Sequence, residues 1–319
     1  MVPSMSAEVK PPLAAKLCSK RLGCRRGKSM GDETSNTSEL AGLEEIEAPF
    51  YYLSDTSETP VFKQTSKPSD VNNFQSSRKP TLMKIQNGRL LAKQPSLDTE
   101  GFAFSKQTTE VVDFFDDSEL DIVYTPKIEE LIKKLTGGTE VVAFDHTRRS
   151  TVPEQREKYN ARDPVPAPHS DYSDASAEQR MRDVFGDKIG DRLDRRFAIV
   201  NAWRSITGTI EQWPLAVCDA RTINEDLLID TYRHAPHRAE PSFEYSRSSS
   251  TRHATFDSGH RWFYFPEMQR DEVLLFKNYD TIKDGTARFS LHSAFEDPFT
   301  PPEPKPRESI ETRAFVFFD

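Results

Sequence analysis

The chain has 319 residues, of which 43 are Lys or Arg and 51 are Asp or Glu, so its formal net charge is −8 at pH 7. This mild acidity argues against nucleic acid as the main partner, because a nucleic-acid-binding surface is basic. The longest apolar stretches, such as 197–200 and 314–318, are far too short to cross a bilayer, so we expect no membrane partner.

Cysteine use is sparse, with Cys18, Cys24 and Cys218 in the whole sequence. An odd number without a regular spacing fits a reducing compartment, and the N-terminus lacks the apolar core of a signal peptide. No CxxC motif or second cysteine pair indicates a structural zinc site. We therefore expect three free thiols and a cytoplasmic protein.

The first 45 residues are rich in Lys, Arg, Ser, Pro and Gly and poor in aromatic residues. They cannot bury enough apolar area to offset the entropy of ordering, so we predict that residues 1–45 form a disordered basic tail. Residues 46–125 mix short apolar runs with Ser, Thr, Asn and Pro, and predict only isolated packed segments.

Two helices are predicted in the middle of the chain. Within 126–135, apolar residues recur at the helical spacing i, i+3, i+4 and i+7, with Thr125 as a cap and Gly137 after the last turn. A short strand is predicted at 141–144. The second helix, 176–185, also carries its apolar residues on one side.

From residue 196 onward the sequence predicts mostly strands, separated by turns rich in Gly, Pro and Asp. The candidate strands are 197–204, 214–218, 261–265, 273–276, 287–295 and 309–318. Several strands at short spacing after a few helices indicate an α+β fold with a barrel or jelly-roll core.

His169 and Asp171 form an HxD motif, and His292 lies far downstream. Residues i and i+2 of a strand point to the same side, so the first pair can converge on one metal ion. Two imidazoles and one carboxylate can occupy one face of iron(II) and leave the other positions open for substrate and oxygen. By contrast, His253 and His260 have polar neighbours and are expected at the surface.

The strand that carries His292 has one polar and one apolar face. The polar face contains Arg288, Ser290, His292 and Ala294. Such a face either contacts water at an edge strand or lines a wet cavity. A histidine that lines a cavity could bind a metal, whereas a histidine on an edge strand would be an ordinary surface residue.

The final strand places Arg307, Ser309, Glu311 and Arg313 on one side, because they have the same parity. We expect this strand to form a hairpin with the His292 strand. An arginine fork with a nearby hydroxyl suits the far end of a dicarboxylate, because guanidinium pairs with carboxylate through two parallel bonds. The alternative is that these arginines are solvated charges on an edge strand.

Short motifs follow one another in a characteristic order from about residue 144 to the C-terminus. They are Phe144-Asp145-His146, His169-Ser170-Asp171-Tyr172, Asn201-Ala202-Trp203-Arg204, Pro214-Leu215-Ala216, Trp262-Phe263-Tyr264-Phe265-Pro266, Leu275-Phe276-Lys277-Asn278-Tyr279-Asp280, His292-Ser293-Ala294-Phe295 and Pro306-Arg307-Glu308-Ser309-Ile310-Glu311. In order and spacing, this series resembles the fungal iron(II)/2-oxoglutarate-dependent hydroxylase/desaturase family. That family includes gibberellin-desaturase-like and cephem-methoxylase-like enzymes of secondary metabolism.

The resemblance implies a double-stranded β-helix core flanked by helices. Residues 46–319 would form a single oxygenase domain, with the β-helix core mainly in 140–319. His169, Asp171 and His292 would bind iron.

Arg307 and Ser309 would hold 2-oxoglutarate, by similarity to the R-x-S motif of related oxygenases. The interval from His292 to Arg307 is longer than is usual for that motif, so Arg313 is the alternative partner. Tyr264 is a candidate cosubstrate contact or a wall residue.

Three further residues are candidate substrate contacts. Asn201 and Arg204 lie in an apolar strand, where a buried polar group needs a partner. Arg204 would face the cavity or mark the strand end. His146 would approach the site entrance or have a structural role.

The leading hypothesis is a non-haem iron(II)/2-oxoglutarate-dependent oxygenase that uses O2 to hydroxylate or desaturate a small organic molecule, as a monomer or homodimer. One alternative is a catalytically silent binding protein with the same fold. Another is a zinc-dependent hydrolase on the same three residues, whose ligand types also suit zinc. A hydrolase would have no need for an arginine fork behind the metal.

Overall fold

A computed structural model describes residues 43–57, 61–63, 78–236 and 246–319. The predicted tail, 1–45, lies almost wholly outside the described residues, as do Cys18 and Cys24. Cys218 is a buried free thiol. Among the described residues, no helix is long and apolar enough to span a membrane.

Two β-sheets make up most of the described chain. The larger, nine-stranded sheet has the order β1-β3-β11-β8-β13-β6-β10-β9-β2. Its strands are β1 (Glu45–Leu53), β2 (Val61–Lys63), β3 (Arg78–Asn87), β6 (His169–Ser170), β8 (Leu215–Cys218), β9 (Leu228–Pro236), β10 (Ser246–Ala254), β11 (Trp262–Tyr264) and β13 (His292–Ala294). All neighbours in this sheet are antiparallel except β3 with β11 and β2 with β9.

The smaller, five-stranded sheet has the order β4-β12-β7-β14-β5 and is antiparallel throughout. Its strands are β4 (Phe102–Lys106), β5 (Glu140–Ser150), β7 (Phe197–Ser205), β12 (Glu272–Asp280) and β14 (Glu308–Phe317). The central strands β7, β12 and β14 are buried along their whole length, so both faces of this sheet are covered. The α+β fold with a double-stranded β-helix core is therefore confirmed.

Apolar clusters cover the inner face of the smaller sheet at both ends, and one of them joins it to the larger sheet. At one end Trp203 and Phe276 of the smaller sheet pack with Val217 and Phe263 of the larger. At the other end a second cluster forms around Phe315, with residues of β7, β12, β14 and the helix after β6. The polar centre described below lies between these two clusters.

Helices lie on both faces of the smaller sheet, with Thr125–Thr136 on its outer face and Asp174–Phe185 on its inner face. A short turn, α1 (Asp117–Glu119), continues through a π-helical turn (Leu120–Tyr124) into α2 (Thr125–Thr136). The predicted helix 126–135 is thus confirmed, and Gly137 ends it in the left-handed conformation, with φ of 72°. Helices α3 (Pro153–Tyr159) and α4 (Asp174–Phe185) follow, and the second confirms the helix predicted at 176–185.

The predicted hairpin between the His292 strand and the final strand is wrong. The short strand β13 pairs with β6 and β8, whereas β14 pairs with β5 and β7 in the other sheet. The strand expected at 287–295 is only three residues long. His292 and Arg307 therefore approach each other across the interior, because the sheets face one another.

Ile132 tests how strongly α2 depends on its buried face. Ile132→Ala removes a side chain that is 0% exposed and packs on the smaller sheet, so we expect a loss of about 2–5 kcal/mol in unfolding free energy. Ile122→Ala is the matched control, because Ile122 is 76% exposed. Chemical denaturation would measure both variants, and equal losses would contradict this packing.

Candidate functional site

Three side chains predicted as metal ligands lie together between the two sheets. The Nε2 atoms of His169 and His292 lie 3.6 Å and 3.8 Å from Oδ1 of Asp171. One ligand atom from each residue lies within 4.8 Å of the other two. Both histidines are buried and Asp171 is half-buried, so the three groups converge on one shared volume.

Strand register explains why histidines distant in sequence meet. β6 lies between β13 and β10, and His169 is directly opposite His292 on one side and His253 on the other. Directly opposed residues point to the same face of a sheet, so three imidazoles form a row across three strands. Asp171 follows β6, and its backbone N–H donates to Oδ1 of Asn278 at 3.0 Å.

Burial keeps the two imidazoles of the triad neutral. Burial and then the neighbouring His169 hold the pKa of His292 well below 6.5. Burial also lowers the pKa of His169, against the opposing effect of Asp171. Nδ1 of His169 lies 2.7 Å from the carbonyl oxygen of Ala167, and the proton assigned to Nδ1 leaves the Nε2 lone pair facing Asp171. A neutral imidazole with a free lone pair is the form that binds metals.

Asp171 stays ionised because a buried cation lies behind it. Burial acts to raise the pKa of Asp171, but Arg313 holds it well below 3.8. Nε of Arg313 donates to Oδ2 at 2.8 Å, and Nδ2 of Asn201 donates to the same oxygen at 3.0 Å. Both donors bind Oδ2, so Oδ1 is left to face the two imidazoles.

The surroundings of Arg313 correct its prediction as a partner of 2-oxoglutarate. Besides Asp171, its guanidinium donates to Asp145 at 2.6 Å, to Thr147 at 2.8 Å and to Glu311. These bonds use all three nitrogens. Arg313 positions the carboxylate of the triad and has no nitrogen left for a ligand. Asn201, expected to bind substrate, has the same supporting role.

A small cavity extends from the two histidines to Arg307. It is lined by Arg149, Val165, His169, Leu215, His292, Ala294, Arg307 and Glu311. Arg307 is 1% exposed; Nη1 donates to the Trp213 carbonyl at 2.8 Å and Nη2 to Oγ of Ser309 at 3.3 Å. In the described part of the chain, no carboxylate lies within ion-pair distance of Arg307.

Tyr264 and Arg204 lie away from this cavity, so the structure does not support a cosubstrate contact for Tyr264 or a cavity-facing position for Arg204. The Tyr264 ring packs edge-on against Phe295, 5.4 Å between centroids, in a cluster on the opposite face of the larger sheet. Arg204 donates to the carbonyl oxygens of Gln107 and Arg270. Arg204 lies three residues after Asn201 on β7, so its side chain leaves the opposite, outer face of the sheet. There the guanidinium lies 5.9 Å from the centre of the Tyr124 ring.

His146 also lies on the outer face of the smaller sheet, so of its two predicted roles the structure supports the structural one and not the site entrance. Its two ring nitrogens lie 3.0 Å and 2.9 Å from the hydroxyl oxygens of Thr125 and Thr312. Burial lowers its pKa, so the ring is neutral and joins α2 to β14. This is a structural role.

Sequence reasoning missed two residues beside the triad, His253 and Asn278. His253 and His260 were expected at the surface, but both are buried, and His260 lies away from the triad beside Tyr52. His253 stacks on His169, with ring centroids 5.4 Å apart, and its Nδ1 lies 2.9 Å from Oγ1 of Thr231. Only strand alternation along β10 could have indicated this inward position. Asn278 lies at a β-bulge in β12, an irregularity that no sequence pattern signals.

The residues of this centre fit a divalent metal ion such as iron(II). Two neutral imidazoles and one ionised carboxylate are the ligand set that iron(II) oxygenases use. Both ring nitrogens of His292 are buried and have no hydrogen-bond partner among the described residues. A buried polar atom without a partner is costly, and a metal bound at Nε2 would supply that partner.

Two facing sheets with this triad between them define a mononuclear metal oxygenase of the double-stranded β-helix class. A family model described as "Oxidoreductase/YMDC permease-like domain" matches residues 50–317. The chain belongs to this oxidoreductase family, among the fungal iron(II)/2-oxoglutarate-dependent dioxygenases and hydroxylase/desaturases.

Individual relatives agree with this family. The chain is 34% identical to the hydroxylase/desaturase CTB9 of Cercospora beticola, over 74% of this chain and 76% of the relative. It is 31% identical to the Fe(II)/2-oxoglutarate-dependent dioxygenase nvfI of Aspergillus novofumigatus, over 82% and 92%. The solved structure of the iron and alpha-ketoglutarate-dependent endoperoxidase NvfI superposes with a TM-score of 0.74 at 26% identity, covering 86% of this chain and 98% of that chain.

Arg313→Met tests the buried ion cluster. It leaves Asp171 and Glu311 buried without their cation, so we expect a loss of about 3–5 kcal/mol in unfolding free energy at neutral pH. In the wild type, the lowered pKa of Asp171 stabilises the fold above its unfolded value of 3.8, and this is lost as pH falls through the folded-state pKa. In the variant, burial is no longer opposed by Arg313 and raises the folded-state pKa of Asp171. The unfolding free energy of the variant therefore falls as pH rises through that range.

The loss caused by Arg313→Met is therefore expected to be larger at about pH 8 than at about pH 5, measured by urea denaturation of the metal-free protein. Arg195→Met is the matched control, since the Arg195 side chain is 29% exposed and pairs at the surface with Asp319. Its expected loss is below about 1 kcal/mol at either pH. A pH-independent loss in Arg313→Met would contradict the assignment.

Proposed function

We propose that this protein is a non-haem iron(II)/2-oxoglutarate-dependent oxygenase that hydroxylates or desaturates a small organic molecule of fungal secondary metabolism. The observation that carries the proposal is the cavity with His169 and His292 at one end and Arg307 at the other, where the two histidines converge with Asp171. The activities by which the relatives are named, dioxygenase and hydroxylase/desaturase, support the same reaction class.

The triad would hold the iron on one face. Nε2 of His169, Nε2 of His292 and Oδ1 of Asp171 are the three ligand atoms, and Arg313 keeps the carboxylate charged. When bound, iron(II) supplies the redox chemistry by which 2-oxoglutarate and O2 oxidise a C–H bond. With three ligands from the protein, the metal would keep positions for cosubstrate and oxygen.

Arg307 and Ser309 would hold the far carboxylate of 2-oxoglutarate. Burial, followed by the nearby Arg149, lowers the pKa of Arg307 to about 9, although Glu311 opposes the shift. A carboxylate would offset this cost and accept a bond from Nε, which has no partner among the described residues. The guanidinium of Arg307 is oriented by its hydrogen bond to the carbonyl oxygen of Trp213. Trp213 itself has a positive φ of 51°.

The chain's other contribution is to exclude water and orient the substrate. Val165, Leu215 and Ala294 form the apolar part of the cavity wall beside the two histidines. Apolar side chains exclude water from this part of the cavity. The exclusion of water strengthens ionic contacts inside the cavity and limits side reactions. Productive orientation of one C–H bond then decides between hydroxylation and desaturation.

We further propose that residues 46–319 form one oxygenase domain, with the β-helix core mainly in 140–319. The strands β1 and β3 support this, because they extend the same sheet that carries β6 and β13. A cytoplasmic location, a monomer or homodimer, and no nucleic-acid partner complete the proposal. The sparse cysteines and the net charge of −8 support the first and last of these.

Removal of either histidine ligand should abolish turnover. His169→Ala and His292→Ala are each expected to lower 2-oxoglutarate-dependent succinate formation by more than about 100-fold, because even loss of an outer hydrogen-bond partner of a metal ligand costs roughly 10- to 100-fold. His146→Ala is the control, since the hydrogen bonds of His146 are to threonine hydroxyls on the outer face of the smaller sheet. Unchanged succinate formation in both ligand variants would refute the metal site.

Arg307→Met should impair cosubstrate use selectively. We expect KM for 2-oxoglutarate to rise by roughly 10- to 100-fold, because a charge-assisted hydrogen bond pair is lost. The keto acid 2-oxovalerate lacks the far carboxylate, so its weaker binding should be the same in variant and wild type. Initial rates with both keto acids measure this, and an equal loss for both would assign Arg307 a purely structural role.

A further inference from the structure

A second arginine lines the cavity that contains Arg307. Arg149 lies on β5 directly opposite Ser309 of β14, so both side chains leave the smaller sheet on its inner face. Arg149 is 7% exposed and borders the cavity together with His169. The same cavity wall includes Arg307, whose pKa is lowered first by burial and then by the charge of Arg149.

Arg149 has no acidic partner of its own. Its Nη1 donates to the backbone carbonyl of Asp163 at 2.7 Å, which orients the guanidinium but does not neutralise it. Throughout the described residues, no carboxylate lies within ion-pair distance of Arg149. The one acidic residue that lines the cavity, Glu311, is bonded to Arg313.

Two buried guanidinium groups therefore line one small cavity, and within the described residues neither has a carboxylate at ion-pair distance. Burying an unpaired cation is costly, and two like charges at short range add to that cost. The carboxylate expected at Arg307 and Ser309 would compensate one of them. Arg149 still requires an anionic group, and that group has to enter with a ligand.

We propose that Arg149 forms a second carboxylate-binding subsite in this cavity, distinct from that of Arg307 and Ser309. The inference rests on the proposed function and extends it. A carboxylate could come from two sources, the keto-acid end of 2-oxoglutarate or an acidic group of the organic substrate. The second source would make carboxylic acids the substrate class of this enzyme.

Calorimetric titration of the Mn(II)-loaded protein under nitrogen separates these sources without turnover. The ligands are 2-oxoglutarate, 2-oxovalerate, and hexanoate added to the complex with Mn(II) and 2-oxoglutarate. Arg149→Met is compared with Arg148→Met, a neighbour on β5 that points to the opposite face and donates to the Phe114 carbonyl. Arg149→Gln, which can still donate to the Asp163 carbonyl, replaces the Met variant if that variant does not fold.

We expect Arg149→Met, but not Arg148→Met, to weaken one class of ligand by roughly 10- to 100-fold. Weaker binding of both keto acids assigns the subsite to the keto-acid end of 2-oxoglutarate. Unchanged keto acids with weaker hexanoate assign it to the organic substrate. Arg149→Lys, which keeps the charge, should recover part of the affinity in either case.

The subsite is overturned if Arg149→Met binds all three ligands as Arg148→Met does, while the wild type binds 2-oxoglutarate. A wild-type protein that binds no 2-oxoglutarate in the presence of Mn(II) would instead refute the proposed function. The two failures are therefore distinguished by the wild-type titration alone.

Discussion

The ion pair between Arg313 and Asp171 is the interaction on which the rest of the site depends. A carboxylate taken out of water tends to protonate, and a protonated Asp171 would be a poor ligand for a cation. Arg313 prevents this from behind, by bonding Oδ2 at 2.8 Å while Oδ1 remains directed at the two imidazoles. The same guanidinium also binds Asp145 and Glu311, so three carboxylates surround this one buried cation.

Apolar burial in the two-sheet architecture offsets the free-energy cost of this buried polar centre. An apolar cluster around Trp203 joins the inner faces of the two sheets, and a cluster around Phe315 joins the smaller sheet to α4. Their burial provides the favourable free energy that offsets the desolvation of the charges between them. The cluster around Trp203 also holds the two sheets together, so that a side chain from β14 can approach β6 and β13 across the interior.

The chemistry of the cavity follows from an uneven distribution of charge. The acidic groups near the triad are bonded to Arg313, whereas Arg307 and Arg149 at the cavity wall have no acidic partner within the described residues. A dianionic cosubstrate therefore enters a volume that already favours negative charge. A zinc hydrolase would have no use for this arrangement, which separates the oxygenase from the alternative that shares its ligand types.

The sequence by itself determined local features: the helix at 126–135, most strand positions after residue 196, the ligand types of the HxD motif and the common parity of Arg307 and Arg313. Each depends on neighbours within a few residues. Only the tertiary structure decided which sheet each strand joins, and hence that Arg313 supports Asp171 while Arg307 lines the cavity. Register, the β-bulge at Asn278 and the inward position of His253 depend on contacts between distant segments, and local spacing carries no information about them.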